Sequence, residues 1–178
     1  MPNTHIRIAE QVASSAQSSL TFSSIPQTYT DLLLLASVRT TTNNGGRDTW
    51  VLTLNGVTGA NYGYVYNINY EATNNAAGYG GANYPNSRMG YASCAANDSD
   101  STFFGVSKVY IPSYSQTGFR KIVRFDSGTI SHTATQFMLA RSAGRHSETA
   151  AITSITVYPN ADNFATGTTY TLYGIKNS

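Results

Sequence analysis

Three histidines, one cysteine and nine carboxylates are the residues of this chain that could act in acid–base, nucleophilic or metal chemistry, and their spacing assembles no known machinery. His5, His132 and His146 lie far apart, and none stands in a His-x-His or His-Glu-x-x-His pattern, so a metal site would need convergence in space alone. Asp98 and Asp100 have the alternate-acid spacing of a calcium loop. The Gly and the distant bidentate Glu of an EF-hand are missing, and a turn whose carboxylates cap its own backbone explains them better. Cys94 sits in Ala92-Ser-Cys-Ala-Ala96, the setting of a small buried filler rather than of a nucleophile. No Gly-x-Ser-x-Gly elbow occurs, and Gly78-Tyr-Gly-Gly lacks the following helix that would make it a phosphate cradle. An enzyme is not expected, and neither a metal nor a cofactor is called for.

Tyrosine is the residue type that stands out, with 13 copies. Tyr62, Tyr64, Tyr66 and Tyr70 share one face of an extended segment, and Tyr79, Tyr84 and Tyr91 follow nearby. Each ring offers apolar area and a hydroxyl, so such a row serves as the rim of a protein interface, as a sugar platform, or as ordinary half-buried strand tyrosines. Leu32-Leu-Leu-Leu35 is the second outlier. An alternating strand has one apolar face; this one has two, which a central strand or one covered by another subunit requires. Leu33 and Leu35 are read as the residues facing a partner.

The elements that would carry these groups are strands throughout. Short runs of Val, Ile, Tyr, Phe and Thr, separated by Gly, Asn, Ser and Pro, mark strands over 5–12, 19–24, 31–40, 50–54, 62–70, 87–95, 102–112, 119–125, 135–141, 152–158 and 168–175. The last two are the clearest, with Ile155 and Val157, then Tyr170 and Leu172, alternating with polar neighbours. Residues 40–48 tolerate positive φ and read as a projecting hairpin loop between two strands. Residues 71–85 lack alternation and read as a long loop excursion from the core. The expected fold is all-β, an antiparallel β-sandwich with that excursion in the middle, forming one domain over 1–178.

Composition narrows the setting. Only 11% of residues are charged, while Ser, Thr and Asn make up about a third; a surface so poor in charge suits a protein packed in an assembly. The net charge of +2 is spread singly, and on a strand Lys121 would face away from Arg120 and Arg124, so nucleic-acid binding is not expected. No aliphatic run is long enough to span a bilayer, so no membrane insertion is expected.

The segments Phe22-Ser-Ser-Ile-Pro-Gln-Thr-Tyr-Thr-Asp-Leu-Leu-Leu-Leu-Ala-Ser-Val-Arg39 and Trp50-Val-Leu-Thr-Leu-Asn-Gly-Val-Thr-Gly-Ala-Asn-Tyr62, followed by residues 152–176, resemble a small β-domain of tailed-phage virion surface proteins, of capsid decoration or tail-fibre type. The resemblance implies a jelly-roll sandwich on a virion exterior, a homotrimer with no cofactor, touching the major capsid protein or other virion proteins. No catalytic motif comes with it. Absence of a collagen-like or coiled-coil shaft favours a capsid decoration (cement) protein, the alternative being a tail-fibre or tail-tip protein that binds a host surface glycan through the region from Tyr62 to Tyr91. Residues 67–100 lie outside the resemblance.

Overall fold

A computed structural model of the chain describes residues 4–72, 75–130 and 137–176, and the side chains of 70–79 and 82–85 lie outside the description. Every described element is a strand: β1 (His5–Val12), β2 (Leu20–Phe22), β3 (Asp31–Val38), β4 (Arg47–Leu54), β5 (Tyr62–Ala72), β6 (Asn75–Asn86), β7 (Met89–Ala95), β8 (Gly105–Ile111), β9 (Ile122–Ile130), β10 (Phe137–His146), β11 (Ile155–Pro159) and β12 (Thr169–Ile175). They form an eight-stranded sheet, ordered β1-β12-β3-β8-β9-β10-β5-β6, and a four-stranded sheet, ordered β2-β11-β4-β7. The result is an all-β antiparallel sandwich. Two hairpins, β5–β6 and β9–β10, widen the large sheet on one side. Without them, the remaining strands pass from one sheet to the other at every step except from β4 to β7, which are neighbours in the small sheet, giving orders 1-8-3-6 and 2-7-4-5 when renumbered along the chain.

Alternation puts one set of side chains between the sheets. Leu32, Leu34 and Val38 of β3, Ile155 and Val157 of β11, and Tyr170 and Leu172 of β12 are all buried there. Trp50 of β4 pins the layers together: its ring meets Phe125 and Tyr170 of the large sheet edge-on, at centroid distances of 6.1 and 5.1 Å. Its Nε1 donates to Ser107 Oγ of β8 at 3.2 Å, so the one polar atom of the ring is satisfied inside the core.

The sheets differ in width, which leaves the edge strand β7 lying across β9 and β10. Its unpaired backbone is met by inward-facing serines of the large sheet. The Ser93 amide donates to Ser127 Oγ (2.8 Å) and the Tyr91 amide to Ser142 Oγ (3.0 Å), while those hydroxyls donate to the carbonyls of Ala140 and Tyr91. Gly90 makes the approach possible: with φ at 102°, it sits against the Phe125 ring where a Cβ has no room.

Two local expectations are corrected. Residues 71–85 are not a loop excursion, because β5 and β6 run as a paired arm from Tyr62↔Asn86 to Ala72↔Asn75. Residues 40–48 are not a hairpin loop either. The strands on either side belong to different sheets, β3 pairing with β12 and β8 and β4 with β11 and β7, so this segment crosses between layers.

Candidate functional site

The outer face of the large sheet is the surface that this construction leaves uncovered. Strand parity places Leu33 and Leu35 there, with Val106, Lys108 and Tyr110 on β8, Arg124, Asp126 and Gly128 on β9, and Leu139, Arg141 and Ala143 on β10. Register aligns them in rows: Leu35 beside Lys108, Lys108 beside Asp126 and Asp126 beside Arg141; Val106 beside Gly128 and Gly128 beside Leu139. Several large apolar groups are exposed on it, Val106 at 64%, Phe137 at 58%, Leu139 at 42% and Leu35 at 40%. Lone exposed apolar residues are ordinary, but these gather on one stretch of the face, Leu35 and Val106 on the adjacent strands β3 and β8, and Leu139 and Phe137 on β10 beyond Gly128.

Gly128 gives the face its relief. Without a side chain, it leaves a gap between Val106 and Leu139 that opens toward Phe104 and Phe137 as a depression of about 460 Å³. Phe103 and Phe104 reach that rim because Arg39 holds their loop. The buried guanidinium donates to the carbonyls of Asn97, Ser99, Asp100 and Phe103 and to Ser99 Oγ, at 2.7 to 3.0 Å.

Charge on the face is mixed and mostly basic. Asp126 accepts from Arg124 (3.1 Å) and forms an ion pair with Arg141 (3.5 Å), both partly exposed pairs that contribute little to stability. Lys108 has no ion-pair partner among the described residues.

The structure separates the two groups of residues singled out in the sequence. Leu33 and Leu35 lie on the outer face; Tyr62, Tyr64 and Tyr66 follow the inner parity of β5. Tyr62 is fully buried, its hydroxyl accepting from the Leu54 amide (2.9 Å) and facing the Val57 carbonyl at 2.9 Å, and burial pushes its pKa up to about 12. It is a core residue, which corrects its reading as an interface group. Tyr66 stacks on Tyr91 (4.5 Å, 11° between planes), with Tyr64 beside it at 6.2 Å. On the neighbouring strand its hydroxyl lies over Gly81, where a Cβ would fall 2.6 Å away, so these rings pack the arm against β7. The backbone of Tyr79 and Tyr84 belongs to β6, but their side chains lie outside the described residues.

The groups with chemical potential are used structurally. Asp98 accepts from the amides of Gly45 and Gly46 (2.8 Å each), and Asp100 from the amide and hydroxyl of Thr102 (2.9 and 2.7 Å). Cys94 is buried, and burial followed by the neighbouring Asp48 raises its thiol well above the ordinary range, which disfavours the thiolate. Lys121 points inward, away from Arg120 and Arg124, and its ammonium donates to the carbonyls of Gln116, Phe119 and Thr149. Among the described residues no cluster of His, Cys, Asp or Glu could hold a metal ion. His132 lies outside them.

His146 is buried and stacked on Tyr62 at 4.8 Å, and burial lowers its pKa; Glu148 raises it in opposition and Lys121 adds to the lowering. A base kept neutral in the fold makes the unfolded chain the better proton binder. Stability contributed by His146 is therefore complete above the ordinary histidine pKa of about 6.5 and declines as pH falls toward the folded value below it. Thermal melts from about pH 8 to about pH 5 should show this decline in the wild type and a flatter profile in His146→Phe, which keeps an aromatic ring against Tyr62.

The signal for the outer face was present but indirect. In Val106-Ser107 the apolar residue points out and the polar one in, and Phe137-Met-Leu-Ala140 is apolar on both faces. Comparison with protein families, curated proteins and solved structures finds no match to this chain.

Proposed function

We propose that this chain is a non-enzymatic structural protein of a tailed-phage virion, a capsid decoration (cement) protein that binds over the head shell and works through the outer face of its large sheet. The observation that carries this reading is that face: adjacent exposed apolar groups, a depression over Gly128 and a mixed charge pattern, which together fit a protein partner. The strand orders 1-8-3-6 and 2-7-4-5 favour a double Greek-key jelly-roll reading, an architecture used by viral capsid proteins, and so support the resemblance read from residues 22–62 and 152–176. Fold alone does not assign function, so the weight rests on the face. Its partners in this proposal are the major capsid protein and other copies of the chain. It needs no cofactor, and its location is the virion.

The alternative, a tail-fibre or tail-tip protein binding host glycan, would use the Tyr64, Tyr66 and Tyr91 cluster. Tyr66 is engaged by Tyr91 and by Gly81, which weakens it as a sugar platform and favours the first reading. Gold-labelled antibody applied to particles released by cells that encode the protein tests the choice. Label over the head is expected; label on the tail alone would move the assignment to the alternative, and unlabelled particles would end both.

A further inference from the structure

The outer face of the large sheet is complementary to itself, and we infer that two copies of this chain pair through it about a two-fold axis lying in the interface, parallel to the strands and between β8 and β9. That line is the centre of the eight-stranded sheet, with β1, β12, β3 and β8 on one side and β9, β10, β5 and β6 on the other, so no other axis parallel to the strands overlaps the faces more fully. Rotation about it sets β8 of one copy over β9 of the other without shifting the rows.

Each row then meets a fitting neighbour twice, as an isologous contact requires. Val106, the most exposed large apolar residue among those described, projects into the gap above the partner's Gly128. Lys108, without an ion-pair partner among the described residues of its own chain, faces the carboxylate of Asp126. Tyr110 faces Arg124, a cation over an aromatic ring. One strand further out, the Leu35 side chain faces the aliphatic stem of Arg141, and Leu33 faces Ala143. An axis between β9 and β10 would instead set Lys108 against Asn67, leave its charge unanswered and leave β1 and β12 uncovered.

The area suffices. Six strands at about 4.8 Å spacing and seven residues at about 3.4 Å span roughly 700 Å² in projection, near the ~800 Å² per partner of a standard interface. A threefold ring needs two different patches to meet, whereas these rows match their own mirror positions, so the pair is the unit that this face builds.

This inference rests on the proposed function only in using the same face, and sedimentation of the isolated 178-residue chain reads it independently of where antibody labels a particle. At about 50 micromolar the wild type should sediment as a dimer. Gly128→Val fills the gap, and its Cβ has only the Met138 carbonyl oxygen near it, at 3.7 Å, so the fold tolerates it. Lys108→Glu, an exposed change, sets two acidic groups against each other at both symmetric positions. Both variants should keep a cooperative melt, as folded proteins do, while weakening dimerisation about tenfold or more. A wild type that is monomeric or trimeric at that concentration, or variants that dimerise as tightly as the wild type, would overturn the pairing while leaving the particle assignment to stand or fall on the labelling.

Discussion

Asp in place of Leu34 should abolish folding, whereas Asp one residue earlier, at Leu33, should leave a folded protein. The two side chains leave β3 in opposite directions. Leu34 is 1% exposed and belongs to the main core cluster, beside Leu172 on β12 and Val109 on β8. Removing a buried leucine costs about 2–5 kcal/mol, and placing a carboxylate there without a partner adds several more, so the total reaches the ~5–15 kcal/mol that a domain of ordinary stability has. Leu33 is half-buried on the outer face, between Tyr110 and Tyr173, where a carboxylate can reach water. Circular dichroism should show a cooperative melt for Leu33→Asp and none for Leu34→Asp. A folded Leu34→Asp protein would mean that β3 does not present this face to the core.

Arg39→Met carries the next largest expected loss. Arg39 is 6% exposed, and its guanidinium donates to five acceptors in residues 97–103, with no carboxylate among them. Methionine fills similar space but leaves buried carbonyls without donors, at a cost of about 3–5 kcal/mol for the group. For a chain of 178 residues this corresponds to a melting temperature lower by roughly 10 °C. Lysine should not rescue it, since a single ammonium with three donors cannot reach acceptors spread around a planar fork. Amide exchange in 97–103 should quicken along with the thermal loss. A shift below about 2 °C would show that the loop holds itself together through its own turns.

What the sequence made legible was whatever a single strand decides for itself. Alternation at Ile155, Val157, Tyr170 and Leu172 specified both closing strands and the side of each that meets the core. The leucine run likewise announced a strand apolar on both faces. Three features depended instead on strands distant in sequence. Residues 75–86 are poor in strand-forming side chains, and they form β6 because β5 supplies a full ladder of backbone partners. At 40–48, Gly45 and Gly46 do adopt positive φ, of 66° and 79°, but turn chemistry reports local backbone angles and not the sheet that the following strand joins. Tyr62 shares its period with Tyr64 and Tyr66, yet only Tyr62 lies deep enough along β5 to sit in the core. The depression on the outer face depends on register too. Gly128 is an unremarked glycine until the pairing sets it between Val106 and Leu139.

The serines that meet β7 bear on how this chain resists adding strands to its sheets. With 11% charged residues, electrostatic repulsion gives it little colloidal protection, so the open edges of its sheets matter more than usual. The small sheet ends at β7 on one side, where the hydroxyls of Ser127 and Ser142 occupy the amides that a foreign strand would need. On the other side it ends at β2, three residues long, where the Gln11 side chain donates to the Thr21 carbonyl. Growth of cross-β aggregates by strand addition is thus denied a template on this layer, through neutral hydrogen-bonding groups where many proteins rely on lysine.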